Sequence, residues 1–402
     1  MELLAAQFQR DLPRLDENDP QFVPRLVDSI LTASRAAHAT DVHLIPGADG
    51  MEMHWRIDGV LQKIAPFSAA LAPRIVARLK VLAQLLTYRT DVPQEGRLRA
   101  ADGQAAEEVR ISTFPTLFGE KAVVRLFAGA GKFLMLAELG LPAEVLESLR
   151  QHLDGTGGVI LVTGPAGSGK TTTIYAALRE LADKTRGGRS LVSLEDPVEV
   201  VVPAVAQSQV NPAAGFDMAL GLRSLLRQDP DVMMVGEIRD RPTAETVFQA
   251  SLTGHLVLTT FHAGSAAQAV NRLSDMGIEP YLLRSGVRAI LCQRLLRRLC
   301  GCATTSADEE ARLGLPVGVV RLPAGCPECG GTGYRGRFVL TEMLLPGQSE
   351  LGRAILSRSD AAELERLAVQ LGMVPQAQRA CEAVAAGWTS PAEVRRVLGV
   401  AQ

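Results

Sequence analysis

The sequence predicts an α/β domain built on a parallel sheet, with a compact α+β domain ahead of it. Three observations carry this. The apolar run over residues 159–162 leads into Gly164-Pro-Ala-Gly-Ser-Gly-Lys170-Thr171, and a helical pattern follows over 172–181. Later apolar runs recur that are too continuous for strands with one wet face, so they read as parallel strands covered on both sides. Upstream, residues 51–57 alternate in period two before the hairpin signal Asp58-Gly59.

In chain order, residues 1–20 are polar and contain proline, and read as a short frayed lead-in. The first domain spans 21–128. A helix is expected over 23–37, with Leu26, Val27, Ile30 and Leu31 on one face. Strands follow at 41–45, 51–57 and 60–64. A helix over 72–86 carries Ile75, Leu79, Leu82 and Leu86, and strands at 109–114 and 122–127 close the domain. The glycines around 128–131 mark a linker, taken as 129–145.

The second domain occupies 146–402. Its strands are expected at 158–164, 190–194, 231–236 and 255–261. Helices are expected at 218–227, stopped by Pro230, and at 243–252, stopped by Gly254. A third runs over 266–276, with Gly277 just past its end. Residues 348–402 form a C-terminal helical part.

Strand, glycine-rich loop and helix in that order is the context a phosphate-binding loop requires. Gly164, Gly167 and Gly169 let backbone N–H groups turn inward around a β-phosphate, and Pro165, Ala166 and Ser168 complete the cradle. Lys170 reaches the β/γ-phosphates, and the Thr171 hydroxyl completes a Mg²⁺ shell. Two acidic clusters stand at later strand ends: Glu195-Asp196-Pro-Val-Glu199, and Gly236-Glu237-Ile-Arg239-Asp240. A carboxylate just past a buried strand end orients an attacking water or holds Mg²⁺ through water. His255 and His262 flank one strand and are candidates to sense a γ-phosphate. His262 ranks higher, because α/β sheets bind ligands at the C-terminal ends of strands.

Cys300-Gly-Cys302 and Cys326-Pro-Glu-Cys329 form two close pairs, and four thiolates so spaced suit a tetrahedral structural Zn²⁺. Cys292 and Cys381 stand on helical patterns and read as core residues. The basic run Arg294-Leu-Leu-Arg297-Arg298 reads as a solvated helix face. A net charge of −2 excludes a broadly nucleic-acid-coating surface, and 4% aromatics disfavour base stacking. No apolar run reaches the roughly 18–20 residues that cross a bilayer. The N-terminus lacks a signal peptide's basic and apolar regions, so a cytoplasmic protein with reduced thiols is expected.

From about residue 25 onward the chain resembles the secretion ATPases of type II secretion and type IV pilus assembly. The likeness rests on Ala39-Thr-Asp-Val-His-Leu, Trp55-Arg-Ile-Asp-Gly-Val60, Val92-Pro-Gln-Glu-Gly-Arg97, Val109-Arg-Ile-Ser-Thr-Phe-Pro115 and Gly119-Glu-Lys-Ala-Val-Val-Arg125. It continues through the loop, Leu194-Glu-Asp-Pro-Val-Glu199, the stretch 222–240, and Thr253-Gly-His-Leu-Val-Leu-Thr-Thr-Phe-His262. It implies a PAS-like N-terminal domain on a RecA-like motor, with the four-Cys element over 299–334, in a homohexameric ring that binds ATP between the domains. Arg110 and Arg125 match the family's arginines that reach the phosphates, and Glu237 and Glu195 match its catalytic and metal-proximal acids. Implied partners are an inner-membrane platform protein and a cytoplasmic docking protein. Family members usually carry a further N-terminal docking domain, whereas about twenty residues precede the PAS-like part here. The first cysteine pair is C-x-C where the family has C-x₂-C.

Two other readings share parts of this pattern. A nucleic-acid translocase uses a similar motor but needs pore-lining basic loops, and nucleic acid is not an expected partner of this chain. A pilus-retraction or regulatory homologue would have no assembly role, and retraction motors lack the four-Cys element.

Overall fold

The structure is a computed structural model; it describes residues 2–11, 19–98, 109–126, 135–347 and 349–399. The chain divides into two compact units. One comprises Met1–Gly129 with Leu299–Thr304 and Leu322–Gly336; the other takes the remaining segments.

The first unit begins with helices α1 (Glu2–Asp11) and α2 (Phe22–Ala36). Strands β1 (Ala39–Gly47), β2 (Gly50–Ile57) and β3 (Val60–Phe67) follow, then helix α3 (Ala72–Leu82), then β4 (Gln94–Leu98), β5 (Val109–Thr116) and β6 (Gly119–Leu126). The six strands form one antiparallel sheet in the order β3-β2-β1-β6-β5-β4. Period two decides which face is dry: Met51, Met53 and Trp55 are buried, while Glu52, His54 and Arg56 alternate with them outside. Val27 and Ile30 of α2 and Ile75 and Leu79 of α3 complete the same core.

The expected frayed lead-in contains α1 instead. Phe8 is buried and meets Trp55 edge to face, with ring centroids 5.6 Å apart. Helix α3 ends four residues short of expectation because Gln84 adopts φ +58, which a continuing helix forbids. The expected linker glycines at 128–131 lie outside the described residues.

The second unit opens with α4 (Ala143–Leu153), β7 (Gly158–Thr163), α5 (Lys170–Thr185), β8 (Leu191–Glu195) and β9 (Ala206–Gln209). It continues through α6 (Met218–Leu225), β10 (Val232–Val235), α7 (Arg241–Leu252), β11 (Leu256–Phe261), α8 (Ala266–Asp275), α9 (Pro280–Gly286) and β12 (Val287–Leu299). After the short strands β13 (Thr304–Ser306) and β14 (Val320–Leu322) come β15 (Tyr334–Leu344) and helices α10 (Ser349–Leu356), α11 (Ala361–Gln370), α12 (Gln376–Ala385) and α13 (Pro391–Leu398). The main sheet has the order β15-β12-β7-β11-β10-β8-β9, and β12 through β9 pair in parallel. Successive residues of β7 enter different cores. Val159 and Leu161 join one with α7 and α8, while Ile160 and Val162 join another with α4 and α5.

Two expectations are corrected here. The run Arg294–Arg298 is not a solvated helix face but part of β12, as is Cys292. The arginines are drawn in by acceptors far away in sequence. Arg297 donates to Glu393 Oε2 at 2.7 Å, and Arg294 donates to Val397 O and Gly264 O. The four-Cys segments group with the first unit rather than the motor unit. The knuckle packs so closely on α1 that a Cβ at Gly330 would lie 2.6 Å from the Leu4 side chain. Among the described residues, no helix is long and apolar enough to cross a membrane.

Phe8→Ala should therefore destabilise the first unit by about 3 kcal/mol. In a Trp388→Phe background it should shift Trp55 emission to the red; unchanged emission and melting would mean that α1 does not cover this core.

Candidate functional site

The loop after β7 is shaped by its glycines. Gly164 has φ +146, and a Cβ there would lie 2.3 Å from Gln293 O, so only glycine fits. Gly167 and Gly169 also adopt positive φ, and Gly169 caps α5, whose first residue is Lys170. Pro165, Ala166 and Gly167 are exposed, whereas the Ser168 hydroxyl is buried without a hydrogen-bond partner. A buried hydroxyl with no partner at a helix N-terminus fits an oxyanion ligand. Thr171, half-buried in the first turn of α5, stands where a hydroxyl can meet a cation beside that ligand.

Lys170 folds back onto its own loop. Its Nζ donates to Gly164 O at 2.9 Å and Pro165 O at 3.0 Å, and lies 3.4 Å from His262 Nδ1. Burial lowers its pKa, and Glu237 acts against that shift. His262, just past the C-terminal end of β11, places Nε2 2.8 Å from Glu237 Oε1 and Nδ1 3.2 Å from Gly164 O. Glu237 Oε2 accepts from Arg239 Nε at 2.7 Å, and Arg239 Nη1 donates to Asp196 Oδ2 at 3.2 Å. Lys170, His262, Glu237, Arg239 and Asp196 thus form one chain of polar contacts beside the loop.

The two candidate acids have opposite surroundings. Glu195 is buried and accepts from Tyr175 Oη, from Ser193 Oγ at 2.6 Å and from Gln207 Nε2 at 3.0 Å. Burial and the bond to Glu195 raise the Tyr175 pKa. Tyr175 Oη also accepts from Glu199 N, so Glu195 ties the 196–207 strap to α5. Glu237 is partly exposed and reaches Lys170 through the His262 imidazole. Glu199 is exposed on the strap.

His255 is not part of this group. It precedes β11, with Nδ1 3.0 Å from Ala250 O and 3.0 Å from Thr253 Oγ1. Six strand residues, roughly 20 Å, separate it from His262. It caps the α7–β11 turn, apart from the contacts around the loop.

Two contributors escaped sequence reasoning. Gln293 on β12, fully buried, donates to Ser168 O at 2.7 Å and accepts from Thr173 Oγ1 at 2.9 Å, so it braces the loop from beside. Its signal was hidden because the segment read as helix. Arg239 stood two residues after Glu237, and only the fold reveals that it also meets Asp196.

In the first unit, Arg110 on β5 and Arg125 on β6 face each other across one register pair. There too, the sulfurs of Cys300, Cys302, Cys326 and Cys329 all lie within 4.8 Å of one another. The separations Cys300–Cys326 and Cys326–Cys329 are 3.8 Å, and Cys302–Cys329 is 4.0 Å. A tetrahedron with bonds of about 2.3 Å has edges of about 3.8 Å, so this donor set fits a metal. Burial alone would raise the Cys329 thiol, yet the N–H groups of Cys326 and Gly333, at 3.1 and 3.2 Å, hold it down at about 6.

Comparison with known proteins shows the family of the chain. The family model for type II/IV secretion system protein matches residues 16–396. The putative type II secretion system protein E of Escherichia coli is 42% identical over 390 residues, covering 95% of this chain and 78% of that protein. The type IV pilus assembly ATPase PilB of Thermus thermophilus is 35% identical over 381 residues, 92% of this chain and 42% of that protein. The Legionella pneumophila ATPase DotB shares the fold, with a TM-score of 0.68 at 19% identity over 97% of this chain and 100% of that one.

Glu237→Gln should leave nucleotide bound and slow hydrolysis about 100-fold or more, while Glu195→Gln should chiefly lower stability, by about 1–3 kcal/mol. Single-turnover hydrolysis beside thermal melts decides this; a slower folded Glu195→Gln would reverse the ranking.

Proposed function

We infer the function of a chain that belongs to the type II/IV secretion system protein family: it is an ATP hydrolase that powers type II secretion or type IV pilus assembly. The observation that carries this is the convergence of Lys170, His262 and Glu237 on the Gly164 loop at the C-terminal edge of a parallel sheet.

The groups of the site divide the labour. Bound ATP supplies the scissile β,γ-phosphoanhydride, and Mg²⁺ supplies charge neutralisation at its oxygens. Residues 164–171 present backbone N–H groups to the β-phosphate, and Thr171 offers its hydroxyl to the cation. Lys170 exchanges two loop carbonyls for phosphate oxygens, which stabilises a buried cation better than neutral acceptors do. Glu237, held by His262 and Arg239, orients a water and takes its proton. Asp196 and Glu199 supply acceptors to the cation's water shell. Arg110 and Arg125 add positive charge toward the transferring phosphoryl group, where charge develops.

The finer reading concerns assembly. The chain acts as a homohexamer in the cytoplasm, held at the inner membrane by a platform protein and a cytoplasmic docking protein. Cys300, Cys302, Cys326 and Cys329 hold one structural Zn²⁺. What supports the metal is a closed four-sulfur set with no open position for a substrate.

Lys170→Ala should abolish ATP turnover, and wild-type turnover per chain should rise as the oligomer forms. An isolated monomer that hydrolyses ATP as fast as the assembled protein would refute the assembly reading. Metal analysis of freshly purified reduced protein should find about one zinc per chain, lost in Cys326→Ser; metal-free folded protein would remove the zinc.

A further inference from the structure

The outer face of the six-stranded sheet carries one unbroken row of charge. Arg97 stands opposite Arg110, Arg110 opposite Arg125, Arg125 opposite Asp41, and Asp41 opposite Arg56. Directly opposed residues have Cβ atoms about 5 Å apart, and like charges so placed repel. Four guanidinium groups therefore share a strip with a single carboxylate from the same register row. What such a strip offers an anion depends on how each guanidinium is held.

Asp41 is the element of the row that is built in. It is 6% exposed, whereas the Arg125 side chain is 63% exposed. Asp41 Oδ1 accepts from Arg125 Nε at 3.0 Å, and Oδ2 lies 3.6 Å from Arg56 Nε. The Thr40 hydroxyl donates to Oδ2 at 2.8 Å. The β1–β2 register slips between Ala39 and Asp41, so Thr40 is the extra residue of a β-bulge, a device that re-aims side chains. Thr40 Oγ1 also lies 3.3 Å from Arg56 O, which ties the bulge to β2. A backbone irregularity and two further side chains thus fix the carboxylate that takes Arg125 Nε.

We propose that Asp41 is the positioning residue for Arg125. By taking Nε it sets the plane of the guanidinium and turns the terminal Nη edge outward, toward one oxyanion of a nucleotide phosphate. A guanidinium held this way meets developing charge without reorganising, whereas an untethered one must first be ordered. This rests on the reading of Arg125 as a phosphate-facing arginine.

The test is steady-state ATP hydrolysis by the assembled full-length chain, with melting curves alongside. Asp41→Asn should lower kcat about tenfold and leave KM for ATP within about twofold. Asp41→Glu, which keeps the charge, should recover part of the loss. In an Arg125→Ala background, Asp41→Asn should cost less than about twofold more, because its route of action is gone. If Asp41→Asn misfolds, Thr40→Val loosens the carboxylate without removing its charge; it should lower kcat by about threefold, and only when Arg125 is present. An equal loss with and without Arg125 would overturn the proposal, as would wild-type kcat in Asp41→Asn when Arg125→Ala is impaired. Full turnover by intact Arg125→Ala assemblies would instead overturn the reading of Arg125, and the proposal with it.

Discussion

The site depends on how the Lys170 ammonium is kept charged while buried. A cation removed from water requires acceptors, and the carbonyls of Gly164 and Pro165 supply two of them. The loop must therefore curl over the lysine, which demands the positive φ of Gly164 and the close approach of β12. Gln293 holds that curl from the neighbouring strand, and His262 shares the Gly164 carbonyl. Glu237 then offsets the charge from the far side of the imidazole. The loop, Gln293, His262 and Glu237 come from different strands or strand ends of one sheet, so the sheet's order is what makes the cluster.

What the sequence shows directly is whatever short-range chemistry decides. The loop, the strand before it and the helix after it were legible because glycine spacing and apolar continuity are local. The alternation of Met51, Met53 and Trp55 was legible for the same reason. Strand β12 was not: its arginines are neutralised by Glu393 and by carbonyls of α13 and of the turn before α8, about 30–100 residues away. Local charge read as solvent exposure, and the strand that braces the loop passed for a helix. His255 stands apart from the loop for a different reason. Two histidines at the ends of one strand look equivalent in composition, but strand direction puts only one of them at the ligand edge.

Glu195 and Glu237 show how one side chain type is given two tasks. Each stands near the end of a buried parallel strand. Glu195 is met by three donors and becomes part of the framework under the strap. Glu237 is met by two cation-capable side chains and remains partly exposed. Donor saturation, rather than burial alone, separates an anchor from a reagent.

The chain does not visit its two units in simple succession. It returns to the first unit at residues 299–304 and again at 322–336, each time bringing one pair of the four sulfurs. A gene fragment ending near residue 128 would therefore encode an incomplete half, stripped of the knuckle that covers α1. Likewise, one proteolytic nick in the connecting segment would leave both parts joined through the later crossings. The boundary is a seam stitched several times, and natural recombination at a single point could not exchange one half without carrying the other.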